Sequence, residues 1–360
     1  MNNEFLQRRR TLLSEMAQLR LASLLVTNPK HWYYLTGFTG ESGALIVSRR
    51  GTALITDGRF VAQARQETSG VRIRLQGGSL LSSTGEFLKG QGGGRVGFGA
   101  SQLTVAQFRV LRKTAGRRVR WVAADGQVER LRARKTPAEI SRMRRAAQVA
   151  GDVLEGVLKL LKPGVREIEI GAEIEYQMRR RGASGPAFET IVAFGERSAY
   201  PHARPTPKRL KKNELVVLDL GAILAHYCSD ITRTVFVGRA PRRIRQWYRA
   251  VQEAQSAASA AVRAGIRTGE VDAAARRVLA AHRLDGYFAH STGHGLGLEV
   301  HEEPRLARGQ KQALAPGNVV TIEPGVYVPG IGGIRIEDDI VVHENRTEVL
   351  TRVPRDFIEI

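Results

Sequence analysis

The chain has 360 residues, 42% of them apolar, and a formal net charge of +21. That length allows two domains with cores of their own and the apolar fraction excludes a disordered chain; no apolar run reaches membrane-spanning length, the opening MNNEFLQRRR lacks a signal-peptide core, and the single cysteine, Cys228, excludes an intrachain disulfide. A cytoplasmic protein without a membrane partner is expected, and because no nucleic-acid motif accompanies the charge, it reads as a solvated arginine-rich surface rather than a nucleic-acid site.

The opening predicts an amphipathic helix, and the runs ASLLVT, GALIVS and GTALITDG predict short buried strands. Gly90, Gly92, Gly93 and Gly94 predict a turn, since the Lys-Ser/Thr of a phosphate-binding loop is missing. After an arginine-rich link, Thr136 as N-cap, Pro137 at the first helical position and Glu139 as capping-box partner start a long helix. The domain break is therefore placed at about residue 133, giving domains 1–132 and 133–360. Beyond it come a second helix, a strand (FETIVAFG) and a hairpin. A second cycle follows, with helices from about Pro241 to Gly265 and from Gly269 to Leu284, a strand around His290 and another hairpin. Alternation of helices and strands makes this an α/β (α+β) chain, its second domain built of two similar halves. Lys208, Arg209, Lys211 and Lys212 read as a solvated turn before the first hairpin.

The two hairpins carry the chemistry. VVLDLGAILAHYCSDITRTVFV places Asp219 opposite Asp230 if the turn centres between Leu224 and Ala225, although Ile223–His226 offers no glycine or asparagine. His226 is read as a turn residue rather than a ligand. VVTIEPGVYVPGIGGIRIEDDIVV places Glu323 opposite Glu337 about Gly330. Opposed like charges destabilise a sheet unless a cation lies between them, so a metal pair is the expected compensator. HSTGHGLGLEVHE adds His290, His294 and His301. By strand parity Tyr327 shares a face with Glu323, and Arg335 shares one with Glu337, where it either neutralises carboxylate charge, binds substrate or forms a structural ion pair. Cys228 and Thr232 share the face of Asp230, Thr232 as a hydrogen-bond partner for a ligand carboxylate and Cys228 as a packing residue.

The segments FETIVAFGERSAYPHARP, LVVLDLGA, SDITRT, HSTGHGLGLEVHE, TIEPGVYV and GIRIEDD resemble those of the pita-bread metallopeptidases: aminopeptidase P, prolidase and, more distantly, methionine aminopeptidase. YYLTGFTGESGALIV and LITDGRF resemble the creatinase/prolidase-type amino-terminal domain. The resemblance implies a mixed-sheet first domain and a curved antiparallel sheet backed by helices in the second. It implies metal ligation by Asp219, Asp230, His294, Glu323 and Glu337, with two divalent ions per subunit, Mn²⁺ ahead of Co²⁺ or Zn²⁺. It further implies hydrolysis of a bond to proline by water held between the ions, Glu323 as general base, His301 on the oxyanion, and His202 and His290 lining the substrate pocket. The implied activity is Xaa-Pro aminopeptidase on short proline-containing peptides, with Xaa-Pro dipeptidase (prolidase) as the alternative. A pita-bread module that binds without catalysis is the reading from another class. A homodimer is also implied, and Trp32, Tyr33 and the GFTG segment are placed either at its interface or in the core.

Overall fold

The computed structural model describes residues 2–360. The chain divides into two compact units, one ending at Arg132 and the other spanning Ala133–Ile360.

In chain order the first unit contains α1 (Asn2–Gln18), β1 (Ser23–Val26), α2 (Pro29–Thr36), β2 (Ala44–Ser48), β3 (Gly51–Thr56), α3 (Val61–Glu67), β4 (Val71–Leu75), α4 (Leu80–Gly90), β5 (Gly94–Phe98), α5 (Val105–Ala115), β6 (Val119–Ala123) and α6 (Gln127–Ala133). Its strands form one six-stranded sheet in the order β4-β3-β2-β1-β5-β6. The sheet is mixed: β1, β2 and β3 pair antiparallel, while β4, β5 and β6 join parallel. Continuous burial of β1 and β2 explains their uninterrupted Leu, Ile and Val, because both faces are covered. The outer β4 alternates half-buried and exposed positions. Gly92, Gly93 and Gly94 have φ of 90, 79 and 103°, in the left-handed region that only glycine enters without strain, so the cluster is the expected turn. Trp32 is a core residue: its indole N–H donates to the Gly40 carbonyl at 3.2 Å and its ring packs against Phe38.

The second unit opens with α7 (Pro137–Leu158), whose Thr136–Glu139 capping box forms as the sequence predicts. There follow α8 (Glu167–Arg180), β7 (Gly185–Pro186), β8 (Ile191–Phe194), β9 (Glu214–Leu220), β10 (Ala222–Leu224), β11 (Tyr227–Cys228) and β12 (Ile231–Val237). The remainder comprises α9 (Arg242–Ala261), α10 (Thr268–Ala281), β13 (Gly293–Gly295), β14 (Glu302–Leu306), β15 (Val319–Ile322), β16 (Gly325–Val328), β17 (Gly332–Arg335), β18 (Asp338–Val342) and β19 (Thr347–Val349).

Two apolar cores repeat one plan. Val149, Leu154, Ile170 and Ile174 of α7 and α8 bury against Val192, Val216, Leu218 and Val235. Val251, Ala254, Val271 and Leu279 of α9 and α10 bury against Val320, Ile322, Ile334 and Ile340. A helix pair covers one face of each antiparallel hairpin, leaving the opposite face for polar residues.

Two expectations need correction. No strand forms around His290; pairing starts at Gly293. Arg276 bonds the carbonyls of His290 at 2.6 Å and Phe288 at 3.2 Å, so side-chain bonds replace a ladder there. The register of the first hairpin also differs, since Asp219 opposes Thr232, and Leu224 opposes Tyr227. The turn is therefore the pair Ala225–His226, with φ of 47 and 71°. Two consecutive left-handed residues match a type I′ turn, which non-glycine residues enter only at a steric cost. Asp230 thus lies diagonal to Asp219, two residues before Thr232 and on the same face.

Candidate metal centre

Asp230, Glu323 and Glu337 sit where β-ladders are interrupted, whereas Asp219 lies within β9, paired with Ile191 on one side and Thr232 on the other. Ile322 pairs with Asp338 and Gly325 with Arg335 in one continuous register, so Glu323 and Glu337 fall opposite each other between the two ladders. Their amides do not pair with one another. Glu323 N–H donates to the Thr292 carbonyl at 2.8 Å, and Glu337 N–H donates to the Thr232 carbonyl at 3.2 Å. Those bonds tie the Glu hairpin to β13 on one side and to β12 on the other. Asp230 follows β11, and its amide donates to Asp339 Oδ2 at 3.0 Å.

His294 enters on β13 between Gly293 and Gly295. A Cβ on Gly293 would lie 1.9 Å from the Thr321 carbonyl oxygen, and one on Gly295 would lie 2.2 Å from that of Glu303. Only glycine permits this approach, which brings the imidazole to the carboxylates. His294 Nδ1 lies 3.0 Å from the Gly295 carbonyl, an acceptor, so Nδ1 carries the proton and Nε2 presents a lone pair. That lone pair faces Glu323 Oε1 at 3.5 Å and Asp230 Oδ2 at 3.8 Å. Ligating atoms of Asp230, His294 and Glu337 all lie within 4.8 Å of one another.

The electrostatics point the same way. Burial, then the neighbouring Glu337, pushes the Asp230 carboxyl well above its usual range; burial, then Glu323, does the same to Glu337. Burial pushes Glu323 up to about 8. Burial, followed by the neighbouring His301, holds His294 down to about 4, so its ring is neutral. Oδ1 of Asp219 and Oδ1 of Asp230 are buried without a hydrogen-bond partner. Buried orphan oxygens, mutually repelling carboxylates and a neutral imidazole lone pair aimed at them together form a donor set for hard or borderline divalent cations.

Surrounding groups hold these donors in place. Thr232 Oγ1 donates to Glu337 Oε2 at 2.6 Å and accepts from Arg335 Nε at 3.0 Å. Arg335 also donates to Asp219 Oδ2, to Tyr327 Oη at 2.7 Å and to the Pro201 carbonyl at 3.2 Å. It is 3% exposed, so its guanidinium is committed to intramolecular partners and neutralises carboxylate charge. Tyr327 Oη donates a hydrogen bond to His290 Nε2 at 2.8 Å, because His290 Nδ1–H donates to the Ser291 carbonyl at 2.8 Å. Burial, then the Arg335 charge, holds His290 down to about 4. His301 is exposed, with its ring edge-on to that of His294 at 4.2 Å, and burial lowers its pKa. His202 is exposed next to Pro201, near enough to both His290 and His301 that a positive charge on it would lower their pKa values. Cys228 is buried and His226 occupies the turn.

Sequence reasoning missed the carboxylates behind the site. Asp339 accepts the Asp230 amide while its Oδ1 is buried without a partner. Asp338 accepts from Arg233 Nη2 at 2.8 Å, and Arg233 Nη1 donates to the Glu337 carbonyl at 2.6 Å. The signal was present: two adjacent aspartates interrupt the buried run IRIEDDIVV, and a charge in a buried strand requires a partner.

Thr232→Val keeps the shape but leaves Glu337 Oε2 and Arg335 Nε without their bonds. The expected result is destabilisation of about 1–3 kcal/mol in denaturant unfolding and roughly 10–100-fold weaker metal retention in a chelator competition. Unchanged metal affinity would remove Thr232 from the supporting shell.

Comparison with known proteins places the chain. Residues 141–344 match metallopeptidase family M24 and residues 8–134 match the creatinase/prolidase N-terminal domain. The chain belongs to metallopeptidase family M24, with the pita-bread fold and a creatinase-like first domain, and it is a metallo-hydrolase by family. It is 35% identical to the Xaa-Pro dipeptidase of Pyrococcus horikoshii over 94% of both chains. An Xaa-Pro dipeptidase structure from Bacillus anthracis superposes with a TM-score of 0.95 at 37% identity, covering 99% of this chain and 100% of that one. An X-Pro aminopeptidase structure from Thermotoga maritima superposes at 0.89 with 32% identity, covering 98% and 100%. No described helix is long and apolar enough to cross a membrane.

Proposed function

We propose that the protein is an Xaa-Pro dipeptidase. The observation that carries this reading is the cluster of Asp230, His294 and Glu337, with Glu323 beside His294 and the Asp219 charge acting on Asp230 and Glu337, in a chain whose relatives include proteins named Xaa-Pro dipeptidase. The sequence resemblance put aminopeptidase first; the relatives favour the dipeptidase, and likeness to the Thermotoga aminopeptidase keeps the other as the second reading.

Divalent cations held by these five residues would supply Lewis acidity and water activation near neutral pH. Manganese is the first choice, with two ions per subunit, and a cytoplasmic homodimer is part of the same reading. An Xaa-Pro bond has a tertiary nitrogen without N–H, so that nitrogen must gain a proton as it leaves. Glu323, with its pKa raised to about 8, is suited to accept a proton from water and deliver it there. His301, neutral and exposed beside His294, donates a hydrogen bond to the developing oxyanion. His290 is fixed in one tautomer by Tyr327 and lines the pocket with His202.

A dipeptidase also needs a cation for the free carboxylate of its substrate. Arg305, exposed on β14 and near enough for its charge to act on the His301 ring, is the cation we assign to that task. Metal-reconstituted protein should therefore hydrolyse Xaa-Pro in preference to Xaa-Pro-Xaa. Arg305→Met should raise KM for the dipeptide by about tenfold or more while changing tripeptide cleavage little. Preferred tripeptide cleavage in the unsubstituted protein would return the assignment to aminopeptidase.

A further inference from the structure

The metal centre leaves the charge of +21 without a use. The basic residues are not spread evenly. From Gln91 to Ala124 there is no Asp or Glu, yet the stretch holds Arg95, Arg109, Arg112, Lys113, Arg117, Arg118 and Arg120, all exposed. None of these seven forms an ion pair among the described residues.

The fold gathers several of them at one end of the first sheet. Arg95 on β5 is the direct register partner of Arg120 on β6. The Arg118 carbonyl accepts from Gly94 N–H at 2.9 Å, and a Cβ on Gly93 would lie 2.7 Å from that of Arg118. Arg50 joins them, donating to the Gln91 carbonyl at 2.6 Å. Arg112 and Lys113 occupy the last turn of α5, just before the turn at Gly116.

Part of this has an ordinary cause. Cations suit a helix C-terminus, which accounts for Arg112 and Lys113. Charged residues guard edge strands, which accounts for Arg120 on the outermost β6. Neither cause covers Arg95, which sits on an interior strand directly across from another arginine. Opposed like charges weaken a sheet, so this arrangement calls for an anion to sit over it.

We propose that the β5–β6 end of the first unit is a docking surface for the phosphate backbone of single-stranded nucleic acid. Guanidinium groups pair bidentately with phosphate, and the cross-strand partners Arg95 and Arg120, with Arg118 just ahead of β6, present adjacent cations at this end. A second copy of this chain would bring the same charge and be repelled. The surface names no base sequence, because it offers charge without base-edge readers. This revises the reading of the charge as solvated surface alone.

The test is fluorescence anisotropy of labelled oligo(dT) with the full chain across a salt series. Expected is binding at low salt that weakens linearly in log–log form. The triple variant Arg95→Ser/Arg118→Ser/Arg120→Ser should bind about tenfold or more weakly, with a salt slope smaller by about 2. Arg239→Ser/Arg242→Ser/Arg243→Ser removes equal charge from the second unit and should leave most of the binding. Thermal melting and Xaa-Pro hydrolysis, unchanged in both variants, check the fold. Absent binding at low salt, equal weakening by both triples, or binding to phosphatidylglycerol vesicles without binding to oligo(dT) would each overturn the proposal.

Discussion

Glu323→Gln is expected to lower Xaa-Pro hydrolysis by about 10³–10⁴-fold while leaving the protein folded. The substitution removes a metal-facing charge and the group proposed to move the proton, and general acid–base groups contribute about 10²–10⁴-fold by themselves. The amide is nearly isosteric, and the Glu323 backbone bond to Thr292 is unaffected by it. Removal of a buried carboxyl whose pKa is raised to about 8 also relieves repulsion in metal-free protein. The variant should therefore melt no lower than the parent after chelation at pH 8. Single-turnover hydrolysis of an Xaa-Pro dipeptide, with metal content measured on the same sample, decides the matter. A variant retaining more than a tenth of the parent rate would remove Glu323 from the chemistry.

Metal-free protein should lose stability as pH rises from 6.5 to 8.5, and added Mn²⁺ should restore it with release of protons. In the folded state burial holds the carboxyls of Asp230 and Glu337 well above their usual range and Glu323 at about 8. In the unfolded chain all three titrate near about 4. The folded state therefore binds more protons through this window, and stability falls as pH rises toward the folded values. Below about 6.5 the buried neutral imidazoles act with opposite sign, because His290 and His294 are held down to about 4 and destabilise the fold when unfolded histidines protonate. A fall of about 5 °C in the metal-free melting temperature across the window is the expected size. Cations need the ionised carboxylates, so their affinity rises with pH. A flat metal-free profile, or metal uptake without proton release in a weakly buffered titration, would contradict this account.

Much of the architecture was legible because its signals are local. The α7 capping box depends on Thr136, Pro137 and Glu139, adjacent in sequence. The opposition of Glu323 and Glu337 was legible because Pro329-Gly330 marks the turn, where Gly330 has φ of 74°. The first hairpin was misregistered because its turn residues, Ala225 and His226, adopt left-handed conformations without the usual glycine or asparagine. Parity still placed Asp219, Asp230 and Thr232 on one face, since a slip of two residues preserves it. The bonds from Asp339 to Asp230 and from Arg233 to Asp338 span more than a hundred residues, beyond any periodicity argument. His290 was expected in a strand, whereas Arg276 on α10 bonds its carbonyl from 14 residues earlier in the chain.

The close seat of β13 has a consequence for how this catalyst tolerates change. Because Gly293 and Gly295 lie against the carbonyls of Thr321 and Glu303, main chain resting on main chain sets where the imidazole stands. Erosion of the apolar interior, by truncations such as Val271→Ala, would then soften the scaffold without displacing that ligand. Alanine at either glycine, a gain of one methyl group, would dislodge it outright. Mutational sensitivity should follow the smallest side chains on this strand as closely as the charged ones.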